Sequence, residues 1–125
     1  MASGTTSTGG GLADRYAAAL YAQAEDTNAL DDTVAQMEAL GRLIDESPEF
    51  RRLLASPLID VNQARSAASA VLQEQGFGQL VQNFVGVVAN NRRLGVLRQI
   101  VAAFAALVEK AKAAAPAEQP QQQAA

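Results

Sequence analysis

Residues 94–108 of the chain read LGVLRQIVAAFAALV, and their apolar side chains recur with the period of an α-helix. The recurring positions are spaced by three or four residues: Leu94, Leu97, Val101, Phe104 and Val108. This spacing puts the five side chains on one face of a helix, whereas a half-buried strand would alternate apolar and polar residues. Two heptads with Ala at many flanking positions are typical of one wall of a bundle rather than of an intermolecular coiled coil.

Upstream of this stretch the same helical period is interrupted by helix start and stop signals. Asn28 is expected to cap a second helix after a first one that ends near Asp26. Ser47-Pro48 predicts the start of a third helix, because Ser caps well and Pro suits the first helical position. Asp60 can cap a fourth helix, and a fifth is expected to break at Asn90-Asn91. Six helices with short connections predict an all-α fold, a compact six-helix bundle.

Low-complexity segments bracket this predicted domain. Residues 1–11 contain only Met, Ala, Ser, Gly and Thr, which predicts a flexible, disordered N-terminal tail. Residues 12–110 are expected to form the domain, and residues 111–125 an Ala/Pro/Gln-rich, disordered tail. Pro116 and Pro120 should stop any helix that continues into this tail, because proline lacks a backbone N–H and clashes with the preceding turn.

The composition excludes several classes of function. The 125 residues include 27 Ala but no His and no Cys, so thiol chemistry, disulfides and the commonest metal ligands are all missing. We therefore expect no catalytic residue, no cofactor and no metal. Ten Lys plus Arg against thirteen Asp plus Glu give a net charge of −3, the opposite of a typical nucleic-acid-binding domain. No apolar run approaches the ~18 residues that a membrane-spanning helix requires, so no direct membrane insertion is expected.

Other local patterns have simple structural interpretations. The carboxylate pairs Asp31-Asp32 and Asp45-Glu46 are sequence neighbours, which point away from each other on a helix and do not converge on one site. Arg92-Arg93 is interpreted as a turn and helix start rather than a phosphate contact. Gly76 and Gly78 are interpreted as a helix stop, because a phosphate loop also needs a preceding strand and a Lys or a third Gly at fixed spacing.

Three strings, in order, resemble one family. Residues 12–21, LADRYAAALY, are similar to the opening helix of the delta subunit of F-type ATP synthase, called the oligomycin sensitivity-conferring protein in mitochondria. Residues 50–59, FRRLLASPLI, resemble its second signature, a Phe, a Leu pair and then Pro with two apolar residues. Residues 83–94, NFVGVVANNRRL, resemble its third signature, an apolar helix closed by Asn, one residue, Arg and Leu. The resemblance covers about residues 12–108, the family's N-terminal domain.

The resemblance implies a mechanical, non-catalytic function. Members of this family link the catalytic F1 head to the peripheral stalk and so form part of the stator. Their N-terminal domain binds the N-terminal helix of the alpha subunit, and their C-terminal domain binds the b-type stalk subunits. That C-terminal domain is absent here, so the sequence is either a fragment, which we favour, or a truncated relative that has lost its second attachment. We expect it to be monomeric on its own. A bacterial member would lie at the cytoplasmic face of the inner membrane as a peripheral part of the F1 sector.

The resemblance also implies a binding site, a groove formed chiefly by the first and fifth helices. The matching positions on these two helices are Tyr16, Ala19, Leu20, Gln23, Leu80, Val81, Phe84, Val88 and Asn91. Several of them must also serve the core of the bundle, and periodicity alone does not separate the two roles. Two other functions remain open at this point: a generic helical adaptor for another amphipathic peptide, and a small helical enzyme.

Overall fold

The computed structural model describes residues 11–56 and 60–114. These residues form six α-helices and no strand: α1 (Leu12–Asp26), α2 (Leu30–Glu46), α3 (Pro48–Ala55), α4 (Val61–Glu74), α5 (Gln79–Asn90) and α6 (Leu97–Ala114). The predicted all-α, six-helix fold is therefore confirmed. None of the described helices is both long and apolar enough to cross a membrane.

Two predicted helix starts are confirmed by their capping hydrogen bonds. The backbone N–H of Phe50 donates to Oγ of Ser47 at 3.0 Å, with Pro48 at the first helical position. The backbone N–H groups of Asn62 and Gln63 donate to Oδ2 of Asp60 at 3.0 and 3.4 Å. Each side chain satisfies backbone donors that the first turn of a helix leaves without an intrahelical partner.

The core of the bundle is built around α6. This helix packs along both α1 and α2, while α4 and α5 pack along each other. The side chains of Leu97, Ile100 and Phe104 on α6 are almost completely buried. At Gly41, α2 passes so close to α6 that an added Cβ would lie 3.1 Å from Cγ1 of Val101. The small residues of the sequence thus permit close helix packing.

The prediction that Asn28 caps the second helix is wrong. Asn28 has φ +56° and follows the last residues of α1, and Ala29 occupies the N-cap position of α2. The backbone N–H of Asn28 donates to Glu25 O at 3.1 Å, and that of Ala29 donates to Ala24 O at 2.8 Å. This is the hydrogen-bond pattern of a Schellman C-cap, in which Asn tolerates the left-handed conformation better than most residues.

The turn predicted at Asn90-Asn91 is confirmed, but the last helix begins later than predicted. Leu94–Val96 form a short 3₁₀ helix, and α6 itself begins at Leu97. The N–H groups of Arg92 and Arg93 donate to the carbonyl oxygens of Ala89 and Val88, both at 2.9 Å, which closes α5 with a second Schellman cap. Arg92 occupies its left-handed position, with φ +60°.

A cross-helix ion pair joins the end of α2 to the first turn of α6. Nε and Nη2 of Arg98 donate to the two carboxylate oxygens of Asp45 at 3.0 and 3.2 Å. This hydrogen bonding, the largest influence, lowers the pKa of Asp45, as do the positive charges of Arg98 and Arg51, against a smaller opposing effect of desolvation. Nη1 of Arg51 donates to the carbonyl oxygens of Ile44 and Asp45 at 2.9 and 2.6 Å.

The expected tails lie largely outside the described residues. Of residues 1–11 only Gly11 is described, and it precedes α1 directly. Of residues 111–125 the first four continue α6 to Ala114. Pro116 and Pro120 also fall outside, so the division of the chain into a domain and two tails stays a prediction.

Candidate peptide-binding surface

Helices α1 and α5 meet at an aromatic contact. The ring of Tyr16 on α1 packs edge-on against the ring of Phe84 on α5, with centroids 6.3 Å apart and an interplanar angle of 76°. Aromatic pairs favour this geometry because the positive edge of one ring meets the negative face of the other. Tyr16 is half-buried and Phe84 is 8% exposed, so the contact lies at the edge of the core.

A hydrogen bond supplements this contact at the end of α5. Nδ2 of Asn91 donates to the hydroxyl oxygen of Tyr16 at 2.8 Å. Tyr16 can serve both helices because its ring is apolar and its hydroxyl is polar. This bond joins residues 75 positions apart in the sequence, on the first and fifth helices of the bundle.

The four predicted site residues on α1 divide into two groups. Leu20 is completely buried and belongs to the hydrophobic core. Tyr16 is half-buried, while Ala19 and Gln23 are exposed. These three residues are spaced by three and four positions, so they lie on one outward-facing side of the helix.

The predicted residues on α5 divide in the same way. Val81 and Val88 are completely buried in the free domain. Leu80 is half-buried and Asn91 is exposed, whereas Phe84 is 8% exposed and belongs to the hydrophobic core. The buried valines lie on the core-facing side of α5, next to the side that carries the other three residues.

Val87 is a candidate contact residue that the sequence-based set omits. Its side chain is 50% exposed, and it is the one large hydrophobic residue exposed in the described parts of the chain. Val87 lies three residues after Phe84 and four before Asn91, so it shares their face of α5. In the sequence, Val87 belongs to a run of positions that begins at Leu80 and is spaced by 4, 3 and 4 residues. This run does not distinguish Val87 from Val88, because Val88 fits a neighbouring apolar stripe equally well.

We define the α1–α5 surface by six partly or fully exposed residues of the two helices together with Phe84, which is 8% exposed and packs on Tyr16: Tyr16, Ala19, Gln23, Leu80, Phe84, Val87 and Asn91. None of the seven residues is Asp, Glu, Lys or Arg. The surface combines apolar area with a few hydrogen-bonding groups and lacks the converging titratable groups of a catalytic site. It is suited to binding another helix through that helix's apolar face.

Other cavities differ from this surface in the character of their linings. A furrow of about 630 Å³ between α4 and α5 is lined mainly by Ser, Gln and Asn, with Arg65 as its single charged lining residue, and its lining also includes Val87. A second cavity, of about 360 Å³, lies where α3, α4 and the end of α5 meet. Neither of these two linings contains a carboxylate that could serve as an acid or base. Two further cavities, of about 490 and 470 Å³, are lined in part by carboxylates: Asp14 in the first, and Glu25, Asp31 and Asp32 in the second. Within residues 11–56 and 60–114, no acidic cluster is arranged to hold a metal ion.

Comparison with known proteins identifies the family. Residues 12–118 match the family described as ATP synthase delta (OSCP) subunit. The chain belongs to this family. It is 60% identical over 107 residues to the ATP synthase subunit delta of Granulibacter bethesdensis, covering 86% of this chain and 48% of that protein. The Acidiphilium cryptum subunit is 49% identical over 98 residues, covering 78% of this chain and 50% of that protein.

A solved structure supports the same assignment to the delta (OSCP) family. A chain in the Toxoplasma gondii mitochondrial ATP synthase hexamer superimposes with a TM-score of 0.67 at 29% identity, covering 75% of this chain and 52% of that one. This chain thus spans about half the length of the relatives it matches. The sequence-based resemblance to the delta subunit family is confirmed.

Proposed function

We propose that this chain is the N-terminal part of a stator subunit of an F-type ATP synthase. Such a subunit links the catalytic F1 head to the peripheral stalk and performs no chemistry itself. Membership of the delta (OSCP) family and the names of the bacterial relatives support this function. The absence of His and Cys from the sequence agrees with a mechanical role.

The specific contact that we propose is between the α1–α5 surface and the N-terminal helix of the alpha subunit. The observation that carries this proposal is the 50% exposure of Val87 on α5, three residues after Phe84, whose ring contacts Tyr16 of α1. Val87 also lines the furrow between α4 and α5, so it lies at the border of the α1–α5 surface. An amphipathic helix can bury its apolar face on such a surface. Ala19 has only a methyl group, so the bound helix can approach the backbone of α1 closely.

Burial supports a smaller set of contact residues than the sequence-based prediction gave. Leu20, Val81 and Val88 are inaccessible in the free domain, so their role is to hold α1 and α5 in position. Tyr16, Ala19, Gln23 and the outward-facing residues of α5 then make the contact with the alpha helix.

The remaining elements of the stator function concern the rest of the protein and its location. Binding to the b-type peripheral stalk subunits is assigned to the C-terminal part of the family, beyond the half that this chain spans. With bacterial relatives, the complex would lie at the cytoplasmic face of the inner membrane, where this subunit is a peripheral component of the F1 sector.

An NMR titration tests the proposed contact. The probe is a synthetic peptide of the first ~25 residues of the Granulibacter bethesdensis alpha subunit, long enough for a helix of several turns. We expect saturable chemical-shift changes at the amides of Ala19, Gln23, Leu80 and Val87. A peptide of the same composition in scrambled order is the control for nonspecific binding.

A pair of variants localises the contact. Val87→Asp should weaken peptide binding about tenfold or more, because the bound helix would cover an unpaired charge. Ala35→Asp introduces the same charge at an exposed position of α2 and should leave the affinity unchanged. If a folded sample showed no shifts at millimolar peptide, the alpha-binding proposal would fail and an adaptor for a different peptide would become the better interpretation.

A further inference from the structure

The Tyr16–Asn91 pair is the polar feature of the α1–α5 surface that joins its two helices directly. Asn91 is exposed and Tyr16 half-buried, so both polar groups are accessible from solvent. A hydrogen bond at such a site contributes little to folding, because water can replace either partner. Its position on a surface proposed to bind a helix suggests a different use.

Both members of the pair are held in place before any partner arrives. The backbone of Asn91 is fixed by the end of α5, where its N–H donates to Val87 O at 3.0 Å and the next two residues complete the Schellman cap. The ring of Tyr16 is fixed by its edge-on contact with Phe84. Groups that are already ordered lose little conformational entropy on binding, which favours their use in recognition.

The hydrogen-bonding capacity of the pair is only half used. A carboxamide has two N–H donors and an acceptor oxygen, and a phenol hydroxyl both donates and accepts. The bond from Nδ2 of Asn91 occupies the accepting side of the Tyr16 hydroxyl. Among the described residues, neither the hydroxyl hydrogen of Tyr16 nor Oδ1 of Asn91 has a partner. The pair therefore offers two donors, the Tyr16 hydroxyl and the second N–H of Asn91, and one acceptor, Oδ1 of Asn91.

We propose that Tyr16 and Asn91 are positioning residues that set the register of the bound helix by hydrogen bonding to one neutral side chain at the border of its apolar face. That side chain must both accept and donate, which restricts it to Asn, Gln, Ser, Thr, Tyr or neutral His. Apolar contacts with Val87 and Ala19 add buried area, but they do not fix the position of the bound helix along its own axis. Neighbouring turns of an amphipathic helix present similar apolar groups, so a shift by one turn would keep these contacts. This inference rests on the proposed function, in which the same surface binds a helix.

Two substitutions and two matched controls test the pair by isothermal titration calorimetry with the alpha-subunit peptide. Tyr16→Phe removes only the hydroxyl, and Asn91→Ala removes the amide. Each should weaken binding by about five- to tenfold, the size expected for one or two hydrogen bonds. The double variant should be little weaker than either single variant, because both act through one pair.

The controls remove the same groups elsewhere. Tyr21→Phe deletes a hydroxyl on the same helix, from a ring that packs on Phe104 with centroids 6.0 Å apart. Asn90→Ala deletes an amide next to Asn91 that accepts a hydrogen bond from Arg65 on α4. Both controls should change peptide affinity less than about twofold. Thermal unfolding of all four variants should differ only slightly, which separates positioning from folding.

Register itself is measured with peptide variants. Each polar residue at the border of the peptide's apolar face is replaced by Ala in turn. We expect one of these replacements to lower the affinity for the unchanged chain but not the affinity for the Tyr16→Phe variant. If Tyr16→Phe and Asn91→Ala bound the peptide as tightly as the unchanged chain, the positioning role would be wrong while the proposed function stood. If the unchanged chain did not bind the peptide, the proposed function and this inference would both be refuted.

Discussion

The close approach of α2 and α6 at Gly41 leads to a prediction about stability. A Cβ added to Gly41 would lie 3.1 Å from Cγ1 of Val101, where carbon atoms normally stay ~3.5–4.0 Å apart. Val101 is 6% exposed, and a β-branched residue in a helix has one strongly preferred rotamer, so it has little freedom to move away. The two helices must therefore separate by a few tenths of an ångström.

The expected effect of Gly41→Ala is the difference between two opposing contributions. Overpacking costs about 1–3 kcal/mol, while replacing Gly by Ala inside a helix gains about 1 kcal/mol. We expect a net loss of about 1 kcal/mol in the free energy of unfolding. The measurement is urea-induced unfolding followed by circular dichroism, with two-state analysis of the transition.

The chain offers a matched control in Gly86→Ala on α5. A Cβ at Gly86 would lie 3.9 Å from Cδ of Arg65, an ordinary contact with a flexible side chain. Here the gain in helix propensity should dominate and stabilise the domain by up to about 1 kcal/mol. In a Val101→Ala background, Gly41→Ala should also become neutral or stabilising. If Gly41→Ala stabilised the unchanged chain as much as Gly86→Ala does, the steric argument would be refuted.

Three further predictions concern other parts of the domain. Arg92→Gly should raise the free energy of unfolding, measured in urea, by about 0.5–1 kcal/mol. Glycine removes the strain of the left-handed conformation at φ +60°, and this gain exceeds the cost of the greater entropy of the unfolded chain. A loss of stability would contradict the strain at Arg92. Leu20→Ala should cost about 2–5 kcal/mol because Leu20 is fully buried, and an unchanged unfolding midpoint would show that it is not a core residue. Hydrogen bonding to Arg98 lowers the pKa of Asp45 from 3.8 in the folded state. The ionised Asp45 side chain therefore stabilises the fold fully above pH 3.8, and this stabilisation disappears as the pH falls through the folded-state pKa. The stability difference between the unchanged chain and Asp45→Asn, measured by urea unfolding from pH 6 downward, should therefore shrink below pH 3.8; a difference that grew on acidification would contradict this assignment.

Errors in the sequence-based description arise where one residue type suits two structures. Asn28 fits an N-cap, but it also tolerates the left-handed conformation that ends α1, and the structure has the second arrangement. Leu94 continues the apolar period of α6, yet the chain around it forms a 3₁₀ helix before α6 begins. In both cases the local residue preferences allow either geometry, and the packing of the connected helices selects one.

The binding surface illustrates the same limitation at the level of whole helix faces. On α5, Val87 and Val88 are adjacent and chemically identical, yet Val87 is half exposed and Val88 is completely buried. Successive residues on a helix differ by about 100° in direction. An apolar stripe that serves the core and a second stripe that serves a partner can therefore overlap in the sequence.

The sequence by itself determined the all-α class, the number of helices, the capped helix starts at Ser47 and Asp60, and the resemblance to the delta subunit family. These features depend on local periodicity, on capping chemistry and on short motifs, all of which involve residues close together in the chain. Only the tertiary structure decided which apolar residues face outward and that Asn91 reaches Tyr16. Those properties depend on contacts between helices distant in sequence, because burial is a property of the packed bundle rather than of a single helix.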